Sequence, residues 1–389
     1  MTALDYRTAG ESHGPAILVL IEGFPAGVPV DAARIDAELR RRQGGFGRGG
    51  RQRIERDAAR LISGVRGGRS LGSPIAIEIQ NRDARLEDAP PVHRPRPGHA
   101  DFAGAMKWLS TDCRNTLERA SARETAARVA AGAVARGLLE EFGIAVAGFV
   151  TRIGPHAIEV PPDLPLAALV AARDASAVYC PDAAASARMI DAIDHAKHDR
   201  DTLGGIVEVR ATGLPPGLGS CARWQDRLDG RLLAAAGAVQ AIKAVEIGLG
   251  FGCAERPGSG VHDEIDFVPA QRDSANLGFV RRTNHAGGLE GGMTNGMPLV
   301  LRAAMKPIST LLRGLDSVNL QTLAAERSDY ERSDICAVPA ASVVVENVVA
   351  FELARACVEK FGGDTLAEVR AAYDYYLTAA RRLAAPPGS

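Results

Sequence analysis

Three proton-handling side chains stand in a row near the start of the chain. Residues 10–15 read GESHGP, so Glu11, Ser12 and His13 lie between two glycines just before an apolar run. Glycine permits a sharp turn, and histidine is the side chain best suited to moving a proton near neutral pH. A plain turn entering a strand accounts for the same residues equally well. A second histidine, His99, follows a Pro-Gly turn in HRPRPGHAD (93–101). Proton transfer and an ordinary surface position are both open to it. The stretch RRRQGGFGRGGRQRIER (40–56) holds seven arginines, five glycines and one acid. Guanidinium forks grip phosphate or carboxylate bidentately, and glycine lets the backbone come close, so the stretch reads as a trap for a small multiply charged anion. A solvated basic loop and an RGG-like nucleic-acid segment are the other readings.

RNTLERASARET (114–125) sets Arg119, Ser121 and Arg123 around a helix start. Free N–H groups there attract phosphate, and Ser121 can also serve simply as a cap. MKPISTL (305–311) and ERSDICAVPAASVV (331–344) each set charged and hydroxyl groups beside an apolar element. Asp334 could orient a proton carrier or cap the helix that follows. His195, His198 and the HDE at 262–264 are conceivable metal ligands. No H-E-x-x-H or Cys/His spacing accompanies them, and no metal is assigned. Two loop histidines, arginine clusters and glycine turns, without a covalent nucleophile motif, suit acid–base and electrostatic chemistry on a small phosphate- and carboxylate-bearing substrate.

The elements that must position these groups come from a chain of 389 residues, 46% of them hydrophobic, enough for a large core. The net charge of −1 argues against a global nucleic-acid or membrane-surface role, so any anion site must be local. Aromatics at 5% argue against a base-stacking platform. Six scattered cysteines without a C-x-x-C read as reduced, mostly buried thiols of a cytoplasmic protein. No secretory leader and no membrane span is expected. Strands are predicted at 16–23, 59–66, 74–80, 145–153, 205–212 and 297–305. Helices are predicted at 31–43 with Asp31 as N-cap, at 121–143 with Ser121 and Glu124 as a capping box, and at 163–174, 183–198, 225–244, 340–361 and 364–383. Residues 81–101 read as a long loop, and 248–264 and 283–296 as glycine-rich loops. Strands and helices mix without βα alternation, which points to an α+β fold. One large domain over 1–383 and a frayed tail at 384–389 complete the expectation.

Read together, AGESHGP (9–15), RRRQGGFGRGGR (40–51), RPGHAD (96–101), LERASARETAARVAAGAVA (117–135), TNHAGGLEGGMTNGMPLVLRAAMKPIST (283–310) and RSDICAVPAASVVVE (332–346) closely resemble the chorismate synthases. The likeness runs in order from about residue 4 to 380. It implies a β-α-β sandwich, a homotetramer, and a carbon–oxygen lyase acting on a phosphate ester. The implied reaction is a 1,4-anti elimination that turns 5-enolpyruvylshikimate 3-phosphate into chorismate and phosphate, the last step of the shikimate pathway to the aromatic amino acids. It requires reduced FMN without net redox change, the flavin lending an electron to C–O cleavage and taking it back.

By the same resemblance His13 matches the histidine that protonates the departing phosphate, and His99 the histidine beside the flavin. Asp334 matches the aspartate that assists proton removal, and Ser12 and Ser121 match serines of the proton network. The flavin pattern falls on Arg119, Ala120, Ser121, Gln240, Ala241, Gly291, Lys306, Pro307, Ile308, Ser309, Thr310 and Arg332. Arg42 and Arg48 fall where the family has a nicotinamide-phosphate contact, with NADPH as an indirect reductant. Arg48, Arg51, Arg123 and Arg332 are candidates for the substrate's anions. Leu249 stands where the family pattern has Asp, and Ala120 where many members have Ser. No added reductase domain is visible, so a monofunctional enzyme served by an external flavin reductase is expected, with no nucleic-acid or membrane partner. A flavin oxidoreductase with net turnover and an RNA-binding protein are the competing readings.

Overall fold

A 24-residue helix with hardly a polar face organises the molecule. In α8 (Val338–Phe361) Val343, Val345, Val349 and Leu353 are fully buried, and so are Ser342, Glu346 and Asn347. A helix buried all round must sit between other layers. The computed structural model describes residues 3–49, 55–328 and 334–383. In it α8 and α4 (Thr125–Glu140) pack together between two antiparallel sheets. The first sheet has the order β1-β2-β6-β3, built from β1 (Asp5–Ala9), β2 (Ala16–Glu22), β3 (Ala59–Leu61) and β6 (Ile75–Gln80). The second has the order β10-β15-β9-β7-β8, from β7 (Ala145–Ile153), β8 (His156–Ala157), β9 (Gly205–Thr212), β10 (Ile242–Ile247) and β15 (Leu299–Met305). The result is an α+β fold, sheet–helix–sheet, with one apolar core running through both sheets. Two-stranded ribbons lie outside it: β4 (Val65–Arg66) with β5 (Arg69–Ser70), β11 (Ile265–Phe267) with β12 (Phe279–Arg281), β13 (Leu289–Glu290) with β14 (Met293–Thr294), and β16 (Asp316–Val318) with β17 (Ala325–Arg327).

The remaining helices are α1 (Ala32–Gln43), α2 (Asp101–Lys107), α3 (Arg114–Ala120), α5 (Leu166–Asp174), α6 (Ala183–His198), α7 (Leu228–Gly237) and α9 (Leu366–Leu383). Asp31 caps α1 as its sequence predicts, its carboxylate accepting from Ala33 N–H at 2.9 Å. Alternating burial in β15 and the apolar run at 145–150 in β7 match their one- and two-sided burial.

Four expectations change. The strand at 59–66 breaks after Leu61, because the chain turns at 62–64 and returns as the β4–β5 ribbon. The long loop ends in a helix, α2. The helix at 121–143 is two pieces: after α3 ends at Ala120, Ser121 accepts from Arg123 N–H at the head of a 3-10 turn, and α4 follows. Glu124 does not reach back to complete a capping box, since its carboxylate is taken by Thr8, Gln240 and Arg128. The helix at 225–244 stops at Gly237. Ala241 adopts φ +69°, and IKAVEI pairs with β15 as a strand with a bulge between Ile242 and Ala244. The tail at 384–389 lies outside the described residues.

Candidate active site

Gly10 adopts φ +105°, and a Cβ there would sit 2.3 Å from the Ala16 carbonyl oxygen. Only glycine makes that turn, and its consequence is to swing Ser12 and His13 against α3. Ser12 N–H donates to the Glu118 carbonyl at 3.1 Å, and His13 N–H to the Glu118 carboxylate at 2.8 Å. His13 Nδ1 lies 3.0 Å from both Glu118 oxygens, and Nε2 lies 3.7 Å from Asp83. Ser121 Oγ donates to Ser12 Oγ at 3.1 Å. Burial pushes the Glu118 carboxyl up, but the bonds from His13, its charge and Arg114 outweigh that and hold it below the ordinary range.

These groups form one side of a cavity of about 480 Å³. On another side His99 Nδ1 bonds to Asp101, a carboxylate that Arg96 also clamps through Nε at 2.8 Å and Nη2 at 3.1 Å. Burial opposes ionisation of Asp101, yet His99 and Arg96 draw its pKa well below the carboxylate range. Arg96 Nη2, a donor, also lies 3.1 Å from His99 Nδ1, so Asp101 and Arg96 together hold the ring at that nitrogen. Arg96 Nη1 donates to Thr310 Oγ1 at 3.0 Å, which ties this loop to the segment after β15. The β10–β15 pairing then sets Gln240 and Ala241 beside Lys306, whose N–H donates to the Ala241 carbonyl at 3.0 Å.

The glycine-rich arm after α1 docks on the loop before α8. Ile335 and Cys336 N–H groups donate to the Gly47 carbonyl. Asp334 accepts from Arg48 Nη1 at 2.6 Å and from Gly49 N–H at 2.7 Å. Arg42 and Arg123 meet over one buried carboxylate, Asp57, at 3.4 and 2.6 Å. Arg42 also donates to Thr125 Oγ1 and the Ala122 carbonyl, and Arg123 to Asn81 and the Gln80 carbonyl. Burial pulls the Arg42 guanidinium down to about 10; Asp57 opposes this, while Arg123 and Arg48 add to it. Six arginine and lysine side chains on the cavity wall face three carboxylates, so the wall attracts anions.

Most of the expected residues therefore meet. Ser12, His13, Arg42, Arg48, His99, Ala120, Ser121, Arg123, Gln240, Ala241, Lys306, Ile308, Ser309, Thr310 and Asp334 all line the cavity. Three do not. Pro307 lies within the lining segment but off the wall. Gly291 lies in the β13–β14 turn. Arg119 points the other way and donates to the Gly10 and Thr8 carbonyls, bracing the GESHGP turn from behind. Arg51 and Arg332 lie outside the described residues. Leu249 stands off the wall, with its N–H donating to the His285 carbonyl. Sequence reasoning missed Glu118, Asp101, Arg96 and Asp57. Three of them lie inside quoted motifs, yet their importance depends on which cation faces them. Cys336, near Asp334, is no nucleophile, because burial pushes its thiol up to about 12. Among the described residues no group of three or more His, Cys, Asp or Glu is placed to hold a metal ion.

The family model for chorismate synthase matches residues 4–358. The chain belongs to the chorismate synthase family. It is a carbon–oxygen lyase acting at the last step of the shikimate pathway, in aromatic amino acid biosynthesis. A chorismate synthase of Symbiobacterium thermophilum is 54% identical over 96% of this chain and 98% of its own length. One from Trichlorobacter lovleyi is 54% identical over 97% and 99%. A crystal structure of a chorismate synthase superposes with a TM-score of 0.81 at 40% identity, covering 98% of this chain and 99% of that one. No helix among the described residues is long and apolar enough to cross a membrane.

Proposed function

We propose that the cavity binds 5-enolpyruvylshikimate 3-phosphate together with reduced FMN, and that the chain eliminates phosphate from C3 and a proton from C6 to give chorismate. The observation that carries the reading is the convergence of His13, His99 and Asp334, from three distant stretches, on one cation-rich cavity. The fit to a flavin rests on the wall itself. Arg48 Nε and Gln240 Oε1 are buried without a hydrogen-bond partner among the described residues. Lys306 has no carboxylate partner among the described residues, and burial, helped by Lys243, lowers its pKa. An unfilled donor, an unfilled acceptor and an uncompensated cation suit a polar heterocycle that carries a phosphate.

Gln240, Ala241 and Lys306–Thr310 would hold the flavin, which when bound supplies transient electron density to C–O cleavage. Arg48 holds the substrate's anionic groups, helped by Arg51 and Arg332, and Arg123, bonded to Asn81, Asp57 and the Gln80 carbonyl, adds positive charge beside them. His13 donates a proton to the leaving phosphate, with Ser12 and Ser121 bonded beside it. Asp334, bonded to Arg48 and the Gly49 N–H, serves the proton-accepting end. His99, held at Nδ1 by Asp101 and Arg96, stands on the flavin side. Arg42, with Nε, Nη1 and Nη2 all engaged inside the protein, acts as a fixed positive charge rather than as a nicotinamide-phosphate contact. A homotetramer, a separate flavin reductase and a cytoplasmic setting belong to the same reading.

The deciding experiment is an anaerobic assay with 5-enolpyruvylshikimate 3-phosphate and FMN, either oxidised or reduced by dithionite. Chorismate absorbance and phosphate release should rise in equal amounts, only with reduced flavin, and over many turnovers per flavin. Consumption of reductant in proportion to product would show a net oxidoreductase instead. Absence of phosphate release from folded, flavin-binding protein would overturn the proposal.

A further inference from the structure

We propose that Glu118 is the positioning residue of the proton donor: it fixes the tautomer and orientation of His13 so that the transferable proton sits on Nε2. The inference rests on the functional reading above only in calling His13 the donor. Glu118 is the fifth residue of α3, and its side chain has no exposed surface. It grips the GESHGP turn at three points. Its carbonyl takes Ser12 N–H, one carboxylate oxygen takes His13 N–H, and both oxygens face His13 Nδ1 at 3.0 Å. A carboxylate only accepts, so Nδ1 carries a hydrogen in both forms of the ring; the imidazolium gives up its second hydrogen, the one on Nε2, and is left as the neutral Nδ1–H tautomer.

The other groups around the ring agree with that assignment. Nε2 faces Asp83 at 3.7 Å, within ion-pair reach but too long for a hydrogen bond, so among the described residues no group already takes its proton. Asp83 is itself paired to Arg85 at 3.1 Å, and Arg114 braces Glu118 from its own helix at 3.4 Å. Glu11 is the acid on the histidine's own turn, and besides Arg85 the cations on the cavity wall are Arg42, Arg48, Arg96, Arg123 and Lys306. The ring therefore lies between a bonded carboxylate behind and a looser one in front. The rear one orients, and the front one leaves Nε2 free to meet a phosphate oxygen. Glu118 also explains why the turn needs α3 at all. The helix is short, and Arg119, next in sequence, holds Gly10 and Thr8 from the outer side.

The test is Glu118→Gln, which keeps shape and removes the charge. With its oxygen on the His13 N–H, the amide can set its NH2 against Nδ1, which then accepts, so the opposite tautomer, with its hydrogen on Nε2, becomes available. In ligand-free protein, imidazole 15N signals of His13 should show one Nδ1–H tautomer in the parent and a mixture in the variant. In the anaerobic assay kcat should fall about 10- to 100-fold with KM for substrate changed less than about twofold, and the alkaline limb of the pH profile should move to lower pH. Adding Glu118→Gln to His13→Ala should cost nothing further, whereas a merely structural role would add its own loss. Glu118→Asp, which keeps the charge, guards against a folding failure of the first variant; it should leave the alkaline limb where the parent has it. An unchanged tautomer and limb in Glu118→Gln, or a moved limb in Glu118→Asp or only in Asp83→Asn, would overturn the inference. A changed tautomer in a protein that never releases phosphate would instead leave Glu118 standing and refute the substrate reading.

Discussion

Replacing Glu346 by Gln removes one charge from the centre of the molecule, and the structure sets the size of the effect. Glu346 lies on α8 with no exposed surface. Its carboxylate receives Arg41 at 2.8 Å, Arg173 at 3.4 Å and Arg136, from α1, α5 and α4. Glu38 is the second acid of the cluster, 2.7 Å from Arg41 and 3.3 Å from Arg136. Burial pushes the Glu346 carboxyl up, but Arg136 and Arg41 lead the groups that bring it from 4.5 down to about 2. At about 1.4 kcal/mol per pH unit, that lowering is worth about 3 kcal/mol. Its folded pKa lies below the unfolded one, so the stabilisation is fully present above about pH 4.5 and is lost as the pH falls toward 2. Gln at this position leaves Arg41 and Arg136 with Glu38, and Arg173 with Asp174, and removing the buried member of such a cluster costs about 3–5 kcal/mol. Urea unfolding at pH 7 and fixed protein concentration should show that loss, with an unchanged m-value. The gap between parent and variant should narrow as the pH is lowered from about 4.5. A loss under about 1 kcal/mol at pH 7, or a gap independent of pH, would refute the reasoning. The cluster bears on the site as well, because α1 turns Arg41 toward Glu346 and the next residue, Arg42, toward the cavity.

Two further outcomes follow from particular contacts. His13→Ala should lower phosphate release at least about 100-fold while changing flavin affinity less than about twofold, read by fluorescence titration; parent-level turnover would remove His13 from the mechanism. Gly132→Ala should lower the melting temperature even though alanine is the better helix former by about 1 kcal/mol. A Cβ there would lie 2.3 Å from the Asn347 carbonyl oxygen, and overpacking of that kind costs about 1–3 kcal/mol. A stabilised variant would mean that α4 and α8 do not approach so closely.

Much of the framework was legible locally. The cap at Asp31, the alternation of β6, the apolar run at 145–150 in β7 and the helical spacing of α6 are set by residues within a turn or two of one another. Those elements stand where their sequences put them. The motifs that carried the family resemblance likewise named His13, Ser12, His99, Ser121 and Asp334, all of which line one cavity. What was not legible is whatever depends on a distant partner. IKAVEI at 242–247 follows an alanine-rich helix and becomes a strand only because β15 offers it an open edge. Arg41 and Arg42 are the same residue type one position apart, yet one joins a buried cluster and the other faces the site. Arg119 and Arg123 divide in the same way, one behind the GESHGP turn and one on the cavity wall. Glu118 sits 105 positions from His13, and Asp57 sits 66 from Arg123. Propensity, capping and periodicity act over a few residues and are written in the chain itself. Which carboxylate meets which cation is chosen when the layers close, because the cost of burying a charge is met only by the partner that the packing brings within reach.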